Sequence, residues 1–312
     1  MKIKQFIIAV CIGTMFAACS SKEDYSLLND DNVIRLTVGI NELQTRASGG
    51  NSSHNNYFAT GEKIRVYMKE NGTTNNVTGI GSGGYSIFTN NGSCTSSDTP
   101  MFPESNGVDI TAVYPEDVAN DATSFSISQN QYIDEEYLKS DLMTANVTNH
   151  KRANGFAELQ FTHLLSKVII KINPGNTGVD VSSIKSASMY VPHISIPISW
   201  SQTGGWSLGT ITEPARVGGH EIIVANNEAY TSAGYSAILL PGTIPAGYEF
   251  LAFGVGDTSL YSFTNSDPIV LSPGCVHTFT FTMVNDKLQL GSTIINTWGN
   301  GTGNSYNIEP LY

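Results

Sequence analysis

The chain has 312 residues, enough for two domains of ordinary size, and its 16 Lys and Arg stand against 27 Asp and Glu. The formal charge of -11 excludes an electrostatic attraction to nucleic acid or anionic lipid. With 40% hydrophobic and 14% charged residues, the composition excludes general disorder and favours many short strands joined by tight turns.

The first 18 residues have the pattern of a secretory signal peptide. Lys2 and Lys4 precede an apolar stretch, Phe6 to Phe16, which is too short to span a membrane. The following "FAAC" resembles a bacterial lipobox, so we expect lipidation at Cys19; the alternative is an ordinary signal with an incidental cysteine. Two acyl chains on one residue are enough for stable anchoring in a membrane. Residues 19–32 are polar and acidic, and we interpret them as a tether.

The first predicted strand is "VIRLTVGI", residues 33–40. Its apolar side chains alternate with others, which places Ile34, Leu36, Val38 and Ile40 on one face. Residues 47–56 are Gly, Ser, Asn and one His, a composition typical of a loop. Arg46 therefore lies between a strand and a loop. It is either an incidental surface charge or a site at which a protease cuts before Ala47.

Short alternating runs with Gly, Pro and Asn turns continue to the end of the chain. Only residues 134–143, "DEEYLKSDLM", indicate a helical turn or two. The strong turn signal "NPGNTG" predicts a boundary between two β-sandwich domains, residues 33–175 and 176–312. Cys94 and Cys275 lie far apart in sequence, and we expect two separate thiols.

The sequence contains no motif that predicts a catalytic, cofactor or metal site. Gly79, Gly81 and Gly84 match G-x-G-x-x-G, but the flanking residues predict a hairpin loop with no helix to bind a phosphate. The six histidines lack metal-ligand spacing, and a packed core histidine is the favoured interpretation of His163. Trp200 and Trp206 flank a predicted hairpin turn; they form either an exposed aromatic platform for a glycan or anchors in the core.

Four segments in order resemble the fimbrillin-like family of Bacteroidales, the type V pilins and their accessory subunits. They are "SDLMTA" (140–145), "LQFTHLLSKVIIKI" (159–172), "AILLPGTIPAG" (237–247) and "HTFTFTMVNDKLQLGSTIINTW" (277–298). The resemblance implies an all-β fold of two transthyretin-like β-sandwich domains in tandem after a lipoprotein signal peptide. It also implies a non-catalytic fimbrial subunit or adhesin on the outer membrane and cell surface, without cofactors.

The resemblance further implies a maturation pathway with three partners. The outer membrane holds the precursor through lipidated Cys19, an Arg- or trypsin-like protease cuts between Arg46 and Ala47, and other fimbrial subunits fill the groove that strand 33–40 leaves. The C-terminal "SYNIEPLY" is short for a donor strand, and its Pro310 lacks an N–H, which favours a tip or accessory role. One alternative is a permanently anchored lipoprotein that binds a glycan or host ligand through Trp200 and Trp206. A hydrolase that uses acidic residues is a third hypothesis.

Overall fold

The computed structural model describes residues 32–40, 58, 60–91, 93–104, 106–175, 178–184, 186–225, 234–255, 259–284 and 287–298. These residues confirm the all-β prediction, since strands account for nearly all of their regular structure. The signal peptide, Cys19, the Arg46–Ala47 bond and "SYNIEPLY" lie outside the described residues.

The strands differ greatly in length, and a single α-helix interrupts them in the described part of the chain. Those of the first half are β1 (Leu36–Ile40), β2 (Lys63–Glu70), β3 (Ser86–Asn90), β4 (Cys94–Thr95), β5 (Val108–Tyr114), β6 (Ser124–Ser126), β7 (Asn130–Gln131), β8 (Met143–His150) and β9 (Ala157–His163), with α1 (Asp134–Lys139) between β7 and β8. Those of the second half are β10 (Ser166–Asn173), β11 (Ser186–Val191), β12 (Ser195–Ser201), β13 (Gly205–Leu208), β14 (His220–Ala225), β15 (Gly234–Leu239), β16 (Gly242–Ile244), β17 (Glu249–Val255), β18 (Ser259–Thr264), β19 (Ile269–Leu271), β20 (Cys275–Val284) and β21 (Lys287–Thr297).

The first part of the chain forms a closed barrel with the strand order β1-β4-β3-β2-β5-β8-β9. Closure removes the exposed sheet edges that an open sandwich would leave. The interior is a separate hydrophobic cluster, to which β1, β2, β5 and β9 all contribute buried side chains. The seven strands therefore form one barrel instead of two open sheets, because β1 bridges β9 and β4.

The second part contains a four-stranded sheet, β15-β10-β20-β21, and a five-stranded sheet, β18-β17-β11-β14-β7. The inward side chains of both sheets belong to one hydrophobic cluster, as in a sandwich. Tyr235, Phe279 and Phe281 come from the first sheet, and Met189 and Leu251 come from the second. Smaller sheets, β13-β12-β6 and β16-β19, complete this part.

Several elements do not follow the predicted division at residues 175 and 176. β10 precedes that position, yet its sheet partners are β15 and β20. β6 and β7 lie between barrel strands in the sequence but pair with β12 and β14. The two-domain division stays a prediction, and sheet membership favours placing its boundary between β9 and β10.

Candidate functional site

β1 closes the barrel through two unequal neighbours. It runs parallel to β9 over five register pairs, from Leu36 opposite Ala157 to Ile40 opposite Phe161. On its other side it meets the two-residue strand β4 at a single antiparallel pair, Leu36 opposite Cys94. Because β1 pairs with no other described strand, its removal would break these contacts and leave every other strand pair intact.

The residues that lead into β1 are held by a few backbone hydrogen bonds. Ile34 N–H donates to the Pro100 carbonyl at 2.8 Å, and Phe102 N–H donates to the Asn32 carbonyl at 2.9 Å. The Asn32 side-chain amide donates to the Phe102 carbonyl at 2.9 Å. The strand is thus held at its beginning by a short, antiparallel contact with the loop that follows β4.

The predicted alternation in β1 is confirmed. Ile34 and Leu36 are 2% exposed and Ile40 is 9% exposed, while Val38 is partly buried against the same cluster. Burial stabilises each of the first three by about 1.5–3 kcal/mol, which gives a gross contribution of about 5–9 kcal/mol. Hydrophobic burial therefore contributes strongly to holding β1 in place.

The floor beneath β1 is formed by aromatic and aliphatic side chains of the barrel interior. Leu159 and Phe161 of β9 are fully buried. The ring of Phe58 lies edge-on to Phe161 at 4.9 Å and to Tyr114 at 5.5 Å between centroids. Loss of β1 would open an apolar groove along this floor, beside an unpaired edge of β9, and this is the arrangement that accepts an added strand.

Cys94 provides a thiol at the boundary of this groove. It is partly buried against the barrel core, and burial raises the pKa of its thiol to about 11. Cys275 lies in β20, which belongs to a different sheet from β1. Burial raises the pKa of the Cys275 thiol as well. Both cysteines are free thiols, as the sequence predicts.

Trp200 and Trp206 lie opposite each other in the β12–β13 hairpin, and the hairpin packs onto the barrel. Trp206 is 2% exposed, and its backbone N–H donates to the Thr144 hydroxyl at 3.2 Å. The partly buried Trp200 ring lies 5.4 Å from that of Tyr67. Trp206 is therefore a core residue, and Trp200 packs one part of its ring against the barrel.

The loop at the tip of the same hairpin also binds the barrel. The Thr111 hydroxyl donates to the Gln202 carbonyl at 2.6 Å, and the Asn146 amide donates to the Thr203 carbonyl at 2.9 Å. The Gln202 amide donates to the Thr73 carbonyl at 2.9 Å. These bonds explain why the tryptophans pack inward, since the hairpin is fixed at its tip as well as by its rings.

The glycine motif forms a turn, as predicted. Gly79 and Gly84 have φ values of 79° and 75°, and β3 follows them, with no helix at this position. A Cβ on Gly79 would lie 1.9 Å from the Thr99 carbonyl oxygen, so only glycine fits there.

His163 is buried, and its Nδ1 lies 2.9 Å from Asp141 Oδ1.

A cavity of about 540 Å³ lies in the second part of the chain, a volume within the usual range of small-molecule sites. Its walls come from the β11–β12 connection, the end of β13, and the β16–β19 ribbon. Val191, Ile211, Leu240 and Leu271 make it mainly apolar, with His193 among the few polar groups. Such a lining suits an aliphatic or aromatic group better than a sugar.

In the part of the chain that the structure describes, no helix is long and apolar enough to cross a membrane.

These features define a class of protein: an all-β chain in which the first described strand closes a barrel and covers an apolar groove. The profile of the fimbrillin-like family matches residues 45–298, and the chain belongs to this family. A comparison with curated proteins gives no match.

Solved structures with the same fold come from Bacteroides species. A candidate cell adhesion protein from Bacteroides uniformis is 20% identical, with a TM-score of 0.61 over 86% of this chain and 100% of that one. A second, from Bacteroides ovatus, is 19% identical, with a TM-score of 0.65 over 85% of this chain and 97% of that one. At these identities the similarity shows the fold.

Proposed function

We propose that the protein is a non-catalytic subunit of a surface fimbrium, and that it matures by losing its first strand. The geometry of β1 supports this proposal most strongly. The strand fills an apolar groove, and it can leave without breaking any other strand pair. Membership of the fimbrillin-like family and the fold shared with candidate cell adhesion proteins support the same function.

The proposed pathway begins at the outer membrane, where lipidated Cys19 holds the precursor. An Arg- or trypsin-like protease then cuts between Arg46 and Ala47, six residues beyond Ile40, which is the last residue of β1. The cut separates β1 and the anchor from the rest of the chain. The family profile begins at residue 45, so nearly all of the matched region would stay in the mature subunit.

An incoming strand from another subunit would then replace β1. The groove requires apolar side chains at alternate positions, as Ile34, Leu36, Val38 and Ile40 supply them in the precursor. Main-chain hydrogen bonds to β9 would contribute affinity, and the buried positions would contribute specificity. The subunit assembles as a homopolymer or as part of a heteropolymer.

N-terminal sequencing of the protein from the cell surface tests the pathway. A free Ala47 terminus is expected, together with assembly into oligomers after trypsin-like cleavage. Arg46→Ala should block both, whereas Arg152→Ala, which changes an exposed arginine in a turn after β8, should block neither. A blocked Cys19 terminus on the assembled protein, or normal assembly of Arg46→Ala, would contradict the pathway and favour a permanently anchored lipoprotein.

A further inference from the structure

β9 pairs with two strands of the barrel, β1 along its first five residues and β8 at its C-terminal end. Residues 157–161 of β9 are in register with β1, whereas its register with β8 is limited to His163 opposite Met143 and Thr162 opposite Thr144. When β1 leaves, the first five residues of β9 lose their sheet partner. The strand would then stay attached mainly at its C-terminal end, so the contacts of that end decide where the open edge lies.

The C-terminal end of β9 is fixed by a buried polar pair. His163 Nδ1 lies 2.9 Å from Asp141 Oδ1, and both side chains are almost entirely buried. This distance is that of a hydrogen bond between the imidazole and the carboxyl group. Next to it, Leu164 N–H donates to the Leu142 carbonyl at 2.9 Å. These contacts join the end of β9 to the segment before β8, and none of them involves β1.

An aromatic ring covers the other side of this pair. The indole of Trp298 stacks on the His163 ring at 3.7 Å between centroids, with 6° between the planes. The backbone N–H of Trp298 donates to the Gly274 carbonyl at 2.6 Å, and the Gly274 N–H donates to the Leu165 carbonyl at 2.8 Å. Lys167 Nζ lies 5.7 Å from the centre of the indole. The end of β21 is therefore tied to the junction of β9 and β10.

We propose that Asp141, His163 and Trp298 form an anchor that holds β9 in register after β1 has left. The anchor keeps the edge of β9 beside the apolar floor, so that the groove is prepared for the incoming strand. These residues have a positioning role, because the hydrogen bond and ring stacking described for them join β9 to residues outside β1. The inference rests on the proposed function, since it applies to the protein without its first strand.

The test uses cleaved protein from which residues 20–46 have been removed, and a fluorescent synthetic peptide of residues 32–41 as the probe. Anisotropy measures the affinity for the peptide. Trp298→Leu, which keeps an apolar side chain but removes the stacked ring, should weaken binding by about tenfold. Asp141→Asn, which keeps an acceptor for His163, should weaken it less.

A packing control separates positioning from general stability. Phe253→Leu removes one ring of the stacked Phe253–Tyr261 pair in the five-stranded sheet, where the centroids are 5.7 Å apart. It should lower the thermal stability of the uncut chain about as much as Trp298→Leu does, yet leave peptide affinity unchanged.

Equal peptide affinity of Trp298→Leu and wild type would overturn the anchor, and so would an equal loss of affinity in Phe253→Leu. Failure of the wild-type cleaved protein to bind the peptide at all would instead overturn the proposed function. Should Trp298→Leu fail to fold, Asp141→Asn supplies the same comparison, and unchanged affinity in that variant would also contradict the anchor.

Discussion

Removal of β1 after a cut at Arg46 should expose the thiol of Cys94. In the uncut chain, Cys94 lies directly opposite Leu36 and is partly buried against the barrel core. Loss of β1 takes away the strand that covers this side of β4. Water then reaches the sulfur, and the desolvation that disfavours its thiolate is relieved.

The expected change in reactivity follows from the pKa of the thiol. Burial raises that pKa from 9.0 to about 11 in the closed barrel, and exposure should return it toward 9.0. At pH 8 the thiolate, which is the reactive form, would rise from about 0.1% to about 10% of the molecules. Because a less basic thiolate is also less nucleophilic, Cys94 should react about tenfold faster with a thiol reagent after β1 has left, before any steric gain is counted.

The assay follows the rate of maleimide labelling at pH 8 before and after cleavage. A soluble version that begins at Ser20 lacks Cys11 and Cys19, so Cys94 and Cys275 are its remaining cysteines. Cys275→Ser isolates the rate of Cys94. Cys94→Ser isolates the rate of Cys275, which lies in β20 and should react equally before and after the cut.

Mass spectrometry identifies the fraction of protein that has lost residues 20–46. An unchanged Cys94 rate in that fraction would refute the reasoning, because it would mean that β1 does not cover the thiol or that the barrel recloses without it. A parallel rise in the rate of Cys275 would indicate general unfolding.

Three further predictions concern the stability of the uncut chain, measured by urea unfolding. Leu36→Ala should cost about 2–5 kcal/mol, because it leaves a cavity in the barrel core, whereas the exposed neighbour Thr37→Ala should cost less than about 0.5 kcal/mol. Burial lowers the pKa of Lys167 from 10.5 to about 8, so the unfolded chain holds that proton more tightly, and the contribution of Lys167 to the free energy of unfolding should rise by about 3 kcal/mol between pH 8 and 10.5. Lys167→Met should abolish this rise; an identical pH profile in the variant would contradict the assignment. Trp206→Ala should cost about 3–5 kcal/mol through lost packing, and a loss of glycan binding without a loss of stability would support the exposed platform instead.

The local patterns of the sequence were sufficient for the all-β fold and for the first strand. The alternation of Ile34, Leu36, Val38 and Ile40 has a period of two residues, and such a period defines a buried face whatever the partner strand is. The glycines around residue 79 also predicted a turn, because glycine adopts a positive φ without steric cost. The helical turn predicted within residues 134–143 also depended on local sequence, and the structure has it at Asp134–Lys139.

The tertiary structure alone decided which strands meet. Residues 156–172 read as one apolar β run, yet β9 belongs to the barrel and β10 to the four-stranded sheet. Likewise, the sequence around Trp206 is compatible with a surface hairpin or a packed one. The barrel decides between them, because Thr111, Thr144 and Asn146 bind the hairpin from distant positions in the chain.

The two parts of the site divide in the same way. The sequence by itself determined that residues 33–40 form a half-buried strand and that Arg46 lies close behind it. Only the tertiary structure decided that this strand runs parallel to β9 and that His163 meets Asp141 and Trp298 at the end of β9. The physical reason is that periodicity depends on neighbouring residues, whereas the β1–β9 pairing and the stacking of His163 on Trp298 join residues that are more than a hundred positions apart.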